Sequence, residues 1–374
     1  MNALTTPPDR AMRLPPDIHG ASDYERLAPD HLPNDCFQYL AGGSGEETSL
    51  SANRQAFSRW GILPRLLKDV RGGHTRTTLL GHRREHPLML APVAFQTLAH
   101  PHGETETARG AEATDTLMTV STLSAFSLEA VSAASSGGKW FQLYFQPSRE
   151  VTADLVRRAV RAGYEALVVT LDAPIQQPGR RALRAGFVRP ASVQAASLAN
   201  YAAPAQMSLS PAQSVILDGM MRDAPTMDDL MWLLKMSPLP VIVKGVMRPD
   251  DALGLRMSGV DGVIVSNHGG RGLDGVPAAL DCLPGIRKAV GPDYPVLFDS
   301  GVRSGADAFK AIALGANAVM IGRLQIYALA VGGALGVAHM LKLMREELEM
   351  CMALAGCRTL GDITADLLTE VPRC

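Results

Sequence analysis

The chain has 374 residues, 36 lysines and arginines against 37 aspartates and glutamates, and a formal net charge of −1. Apolar residues make up 47% and charged residues 20%, enough for a substantial core. So balanced a charge gives no sequence-independent grip on a phosphate backbone, and nucleic acid is not expected as a partner.

In chain order, residues 1–20 mix charges and prolines without the apolar stretch of a leader, and read as a flexible N-terminal lead to one domain over 21–374. Helical stretches over 23–60 flank the turn Ala41-Gly42-Gly43-Ser44-Gly45. No strand precedes this turn and its spacing is not that of a dinucleotide fingerprint, so it reads as a plain helix stop. His82-Arg-Arg-Glu85-His86 has the spacing of a zinc-protease string, which must be helical. Pro87 and an apolar run follow at once, so no metal is expected there. The five cysteines contain no Cys-x-x-Cys pair, which argues against a disulfide framework and for a reducing, cytoplasmic setting.

Beyond residue 85, short apolar runs recur between amphipathic stretches of helical length. They are Leu88–Ala91, Met118–Ser121, Trp140–Tyr144, Ala166–Leu171, Val241–Lys244, Gly262–Ser266, Val296–Asp299 and Ala318–Ile321. Continuous rather than alternating apolar runs belong to strands covered on both faces, as in parallel sheets built of βα units. Eight units across roughly 230 residues fit a closed (β/α)8 TIM barrel, typically ~250 residues, better than an open sheet. The barrel is expected over about 86–325, with the helical segment before it and a helix over 340–355 after it. The widest gap, Leu171 to Val241, predicts an extended loop after the fourth strand, which reads as a lid. The longest apolar stretch, Leu324 to Ala338, falls short of the ~18 residues of a membrane span.

Polar residues cluster at the ends of these runs, where a barrel of this kind carries its chemistry. Ser121, Gln142, Tyr144, Thr170, Asp172, Lys244, Ser266, His268, Arg271 and Asp299 all sit there. The turns Asp299-Ser300-Gly301-Val302-Arg303 and Gly322-Arg323 follow the seventh and eighth runs, the usual phosphate site. Glycine admits backbone N–H groups to phosphate oxygens and arginine adds a charge-assisted contact, so a phosphorylated ligand is expected. In Ser266-Asn267-His268-Gly269-Gly270-Arg271, His268 can take a proton near neutral pH and Arg271 can clamp a carboxylate.

Ser-Asn-His-Gly-Gly-Arg at 266–271, with Ala-Pro-Val-Ala at 91–94, Gln-Leu-Tyr at 142–144, Val-Lys-Gly at 243–245 and Asp-Ser-Gly-Val-Arg at 299–303, resembles the FMN-dependent 2-hydroxy acid oxidase and dehydrogenase family. The likeness runs from about Tyr24 to about Ile363. It implies an FMN held by Pro92, Val93, Ala94, Ser121, Gln142, Thr170, Lys244 and Ser266, with its phosphate on Asp299, Ser300, Gly301, Val302, Arg303, Gly322 and Arg323. It implies His268 as the base on the substrate hydroxyl, with Asp172 orienting it. Tyr39, Tyr144 and Arg271 would hold the substrate, together with an arginine after the fourth strand, Arg181 first and Arg180 second. The implied reaction is oxidation of a small L-2-hydroxy acid to the 2-oxo acid. Electrons would pass to O2, giving hydrogen peroxide, or alternatively to a quinone or carrier protein. A flavin-dependent isomerase and an inactive flavin-binding protein are the remote alternatives. A homo-oligomer, tetrameric by resemblance, with no membrane segment completes the expectation.

Overall fold

The computed structural model describes residues 13–202 and 208–371. All eight apolar runs form strands: β1 (Leu88–Leu90), β2 (Leu117–Ser121), β3 (Lys139–Leu143), β4 (Leu167–Thr170), β5 (Val241–Val246), β6 (Gly262–Val265), β7 (Val296–Phe298) and β8 (Ala318–Ile321). Each pairs in parallel with its neighbours, and β8 closes on β1 through Met320 and Met89. The closed (β/α)8 barrel is therefore present.

Alternation within each strand explains why the runs are apolar throughout. Met89, Leu117, Trp140, Val168, Ile242, Ile264, Leu297 and Met320 fill the barrel interior. Their strand neighbours Leu88, Leu90, Val120, Leu143, Val169, Val243, Val263 and Phe298 face the helices. Each such side chain, wholly buried, contributes roughly 1.5–3 kcal/mol. The hairpin Thr77–Leu79/His82–Arg84 turns on Leu80 and Gly81, both at positive φ, the backbone that a two-residue hairpin turn requires. It inserts Leu79 against the interior cluster. His82 thus lies on a strand, and His86 is buried with its Nε2 against the Thr114 carbonyl, so the zinc-like string is not helical.

Before the barrel come α1 (Asp23–Leu27), α2 (Asn34–Ala41) and α3 (Thr48–Ser58). A short antiparallel pair, Trp60–Ile62 with Leu368–Glu370, ties the segment just after α3 to the C-terminal end of the described chain. The segment between β4 and β5 holds the helix Arg180–Arg184, two short irregular turns and the helix Met227–Met236, closed at its start by a Thr226/Asp229 capping box. The last of these is the ordinary fourth helix of the barrel, so the extra loop ends near Thr226.

The final helix differs from expectation. It runs from Arg323 to Leu354, not from 340, and it breaks its helical geometry at Gly332 and Gly333. By length and hydropathy it could cross a membrane, but two-thirds of its most apolar stretch is buried inside the protein. Leu324, Tyr327, Leu329, Val337, Met340 and Met344 pack into the core, and this burial accounts for its apolar character.

Candidate active site

A cavity of about 280 Å³ opens at the C-terminal ends of the strands. Most of the residues expected there line it. These are Tyr39 from α2, Pro92, Val93 and Ala94 after β1, Ser121, Gln142, Tyr144, Thr170, Lys244, His268, Arg271, Asp299 to Arg303, Gly322 and Arg323. Ser266 and Asp172 stand one layer behind and act through hydrogen bonds to lining residues. Sequence reasoning missed Leu40, Phe95, Gln176, Gly269, Met320 and Ile326, which also line the cavity. Only Gln176, in the loop after β4, carried a polar signal that could have marked it.

His268 accepts a left-handed backbone, φ 59°, at the turn after β6. Its Nδ1 lies 2.9 Å from Asp172 Oδ1. Burial works against the Asp172 carboxylate, yet His268 and Lys244 beside it hold its pKa below the ordinary value. An ionised carboxylate only accepts, so Nδ1 is the donor in this contact and Nε2 is the ring nitrogen turned away from Asp172. Gly245, at φ 103°, presses against Asp172 from behind, where any Cβ would collide with the Asp172 side chain.

Lys244 is buried and donates to Ser266 Oγ at 2.8 Å, with Asp299 Oδ2 at 3.0 Å. Burial disfavours its charge, but Asp299 and Asp172 more than offset this and raise its pKa. Ser266 Oγ in turn accepts from the His268 backbone N–H at 2.9 Å. The cation and the imidazole are thus tied through one hydroxyl.

Arg271 donates from Nη1 to the carbonyls of Tyr39 (2.9 Å) and Gly42 (3.1 Å), and its guanidinium lies 4.9 Å over the Tyr39 ring. Tyr39 is stacked on Phe187 at 4.2 Å. The glycine turn is therefore more than a helix stop: its carbonyls anchor two arginines of the rim. Tyr144 is half-buried, and loss of solvent with Asp172 nearby raises its pKa, so it is a phenol donor at neutral pH. The two candidate loop arginines do not reach the cavity. Arg181 donates to Gln38 and faces Glu47, and Arg180 pairs with Glu46 at the surface. Gln176 lines the cavity from this loop instead.

Arg303 and Arg323 lie together at the far end. Arg303 donates to both oxygens of Glu25 at 2.7 and 3.0 Å. Among the described residues Arg323 has no carboxylate partner and donates to the carbonyls of Ala41, Gly269 and Gly42. Burial, with Arg271 and Arg303 nearby, pushes its pKa down to about 9. A half-buried cation short of negative charge beside glycine turns at Gly301 and Gly322 suits a phosphate. Around the barrel axis, Gln142 Nε2 and Thr170 Oγ1 are buried without a hydrogen-bond partner among the described residues. Buried polar atoms left this way are costly, and a flat heterocycle with N–H and C=O groups on its edge would satisfy them. The residues present fit FMN.

The family model for FMN-dependent dehydrogenase matches residues 28–370. The chain is 57% identical over 362 residues to an L-lactate oxidase of Alicycliphilus denitrificans, covering 97% of this chain and 99% of that one. It is 41% identical over 364 residues to glycolate oxidase 1 of Oryza sativa subsp. indica, covering 96% and 97%. Among solved structures, a mandelate oxidase variant with (S)-mandelic acid superposes with a TM-score of 0.85 at 39% identity, over 95% of this chain and 99% of that one.

Proposed function

This chain belongs to the FMN-dependent dehydrogenase family, and on that premise we propose that it oxidises a small L-2-hydroxy acid, lactate foremost, with O2 as the acceptor. The observation that carries the reading is the His268–Asp172 contact at a rim shared with Arg271 and Tyr144. The likeness to an L-lactate oxidase at 57% identity supports both the substrate and the acceptor.

Bound FMN supplies the redox chemistry, taking two electrons from the substrate carbon and delivering them to O2 to give hydrogen peroxide. Pro92, Val93, Ala94, Ser121, Gln142, Thr170, Lys244 and Ser266 would hold its ring system, and the turns at Asp299–Arg303 and Gly322-Arg323 its phosphate. Lys244 places a fixed positive charge where reduction leaves negative charge. Arg271, Tyr39 and Tyr144 bind and orient the substrate carboxylate and hydroxyl. His268 Nε2 takes the hydroxyl proton as the C2–H bond breaks. Asp172 stabilises the imidazolium that results and keeps the ring in the tautomer that can act as a base. Leu123 and Phe95 are apolar residues of the cavity lining, in keeping with a methyl-bearing acid.

The protein works in the cytoplasm as a homo-oligomer. The free thiols Cys36, Cys282, Cys351 and Cys357 suit a reducing compartment. Leu66, Leu67 and Leu354 are exposed, and the Arg65 N–H donates to the Leu354 carbonyl, which supports an apolar contact surface there. Anaerobic titration of the yellow protein with lactate, glycolate and mandelate tests the chemistry. Lactate should bleach the flavin fastest, and air should restore it with one peroxide per turnover. Flavin that no hydroxy acid bleaches would refute the reading, and bleached flavin that air does not restore would replace O2 with another acceptor.

A further inference from the structure

We propose that Asn53, on α3 and outside the barrel, is a positioning residue for His268. The inference rests on the proposed role of His268 as the base.

His268 stands in a left-handed conformation that a side chain with a Cβ adopts only when its surroundings over-determine it. Part of that determination comes from the barrel: His268 N–H donates to Ser266 Oγ, Gly269 N–H to Ser300 Oγ, and Arg271 N–H to the His268 carbonyl. The rest passes through the adjacent Asn267. Its Nδ2 donates to Asn53 Oδ1 at 2.9 Å and to the Pro277 carbonyl at 3.1 Å. Its Oδ1 accepts from Asn53 Nδ2 at 2.7 Å and from the Gly270 N–H at 3.1 Å. Both amides are buried, Asn53 to 1% and Asn267 to 6% exposure. All four hydrogen-bonding positions of the Asn267 head are used, and Asn53 fills two of them. Asn53 Oδ1 also accepts from the Ala279 N–H, so one side chain spans both ends of the loop that leaves β6.

Removing the Asn53 amide leaves one N–H and one lone pair of the buried Asn267 head unused, with only Pro277 and Gly270 still bonded to it, in a loop already held in a disfavoured backbone. The loop then relaxes by rotating Asn267 toward other partners, and His268, its neighbour, swings away from Asp172. Asn53 does not line the cavity. Arg271 keeps its own anchors on the carbonyls of residues 39 and 42. Gly301 in the phosphate turn lies so near the main chain and Cβ of Asn53 that a Cβ at 301 would collide with them, and alanine at 53 retains those atoms. The loop's ties to the phosphate turn, Gly269 N–H on Ser300 Oγ and Arg323 on the Gly269 carbonyl, do not pass through the Asn53 side chain, so the base is the group displaced.

The test compares Asn53→Ala and Asn53→Asp holoenzymes with Ser49→Ala. Ser49 is buried on the same helix and donates to the Val276 carbonyl without touching Asn267. Expected for both Asn53 variants are unchanged FMN content and KM, with flavin reduction by lactate slowed ~10- to 100-fold, the scale of a roughly 1 Å misplacement. Amide hydrogen exchange should accelerate in the peptide spanning residues 266–272, and Ser49→Ala should change neither quantity. Asn53→Asp keeps an oxygen for Ala279 and Asn267 Nδ2, so it reports even if the alanine variant does not fold. Wild-type reduction rates and exchange in either folded variant would overturn the inference while leaving the proposed function standing. A rise in KM with kcat intact would overturn it also. A wild-type protein that reduces with no hydroxy acid would instead refute the function, and exchange would still report on Asn53.

Discussion

Replacing Asp172 by asparagine removes one charge and almost no volume, so it isolates the electrostatic part of the proposed base. In the resting protein the carboxylate accepts from His268 Nδ1 at 2.9 Å, with the two side chains 13% and 19% exposed. Once His268 has taken the substrate proton, an imidazolium faces a carboxylate with charge centres about 4 Å apart, worth ~4 kcal/mol at an effective dielectric of 20. A hydrogen bond to a charged group contributes less, about 1.5–3 kcal/mol. The loss should therefore fall between about 2 and 4 kcal/mol, which at 1.36 kcal/mol per decade is a ~30- to 900-fold slower proton transfer. If the asparagine turns its NH2 toward Nδ1, the ring is driven into the wrong tautomer and the loss exceeds that range. Asp172 does not line the cavity, so KM should hold. The assay is anaerobic stopped-flow bleaching of the flavin by lactate across a concentration series, giving the limiting reduction rate and the dissociation constant separately. A limiting rate within threefold of wild type, or a loss confined to the dissociation constant, would refute the coupling between the two residues.

His268→Gln should keep bound FMN and slow flavin reduction by at least ~10²-fold, the lower bound for a positioned base; near wild-type bleaching would remove it from that role. Arg271→Met should weaken binding of lactate and of sulfite by about 1.5–3 kcal/mol, the value of a charge-assisted contact. Arg181→Met and Arg180→Met should each change it little, since both side chains pair away from the cavity; parallel titrations decide between them. Glu104 is wholly buried behind the turns after β1 and β2, and its Oε1 accepts from the N–H groups of Gln96 and Ala125. Burial raises its pKa above the ordinary 4.5. The native state therefore holds a proton that the unfolded chain releases, and stability falls as pH rises from about 4.5 through the raised value. Glu104→Gln should flatten that part of the melting-temperature profile while retaining FMN, and a profile unchanged by the substitution would show that Glu104 does not titrate in this window.

The barrel was legible in the sequence because the instruction is local. A strand covered on both faces must be apolar at every position, and eight such runs declared themselves within windows of four to six residues. The polar residues at their ends could be listed for the same reason, since a closed parallel barrel gathers all its strand ends at one mouth. The helix from Arg323 to Leu354 was legible only in part, because its first half is apolar all round and has no periodicity to announce it. What tertiary structure alone decided is which side chains meet. Asp172 and His268 are 96 residues apart, and nothing in either segment specifies the partner. The carbonyls at Tyr39, Ala41 and Gly42 become anchors for Arg271 and Arg323 only when α2 packs on the rim. Arg180 and Arg181 had the right residue type, but the reach of their loop sent both to other partners. Asn53 gave no signal at all, because an asparagine in a helix is ordinary until folding buries it against another 214 residues away. Periodicity is written in neighbouring residues, whereas hydrogen-bond partnership depends on closure of the whole barrel and on which atoms that closure leaves without water.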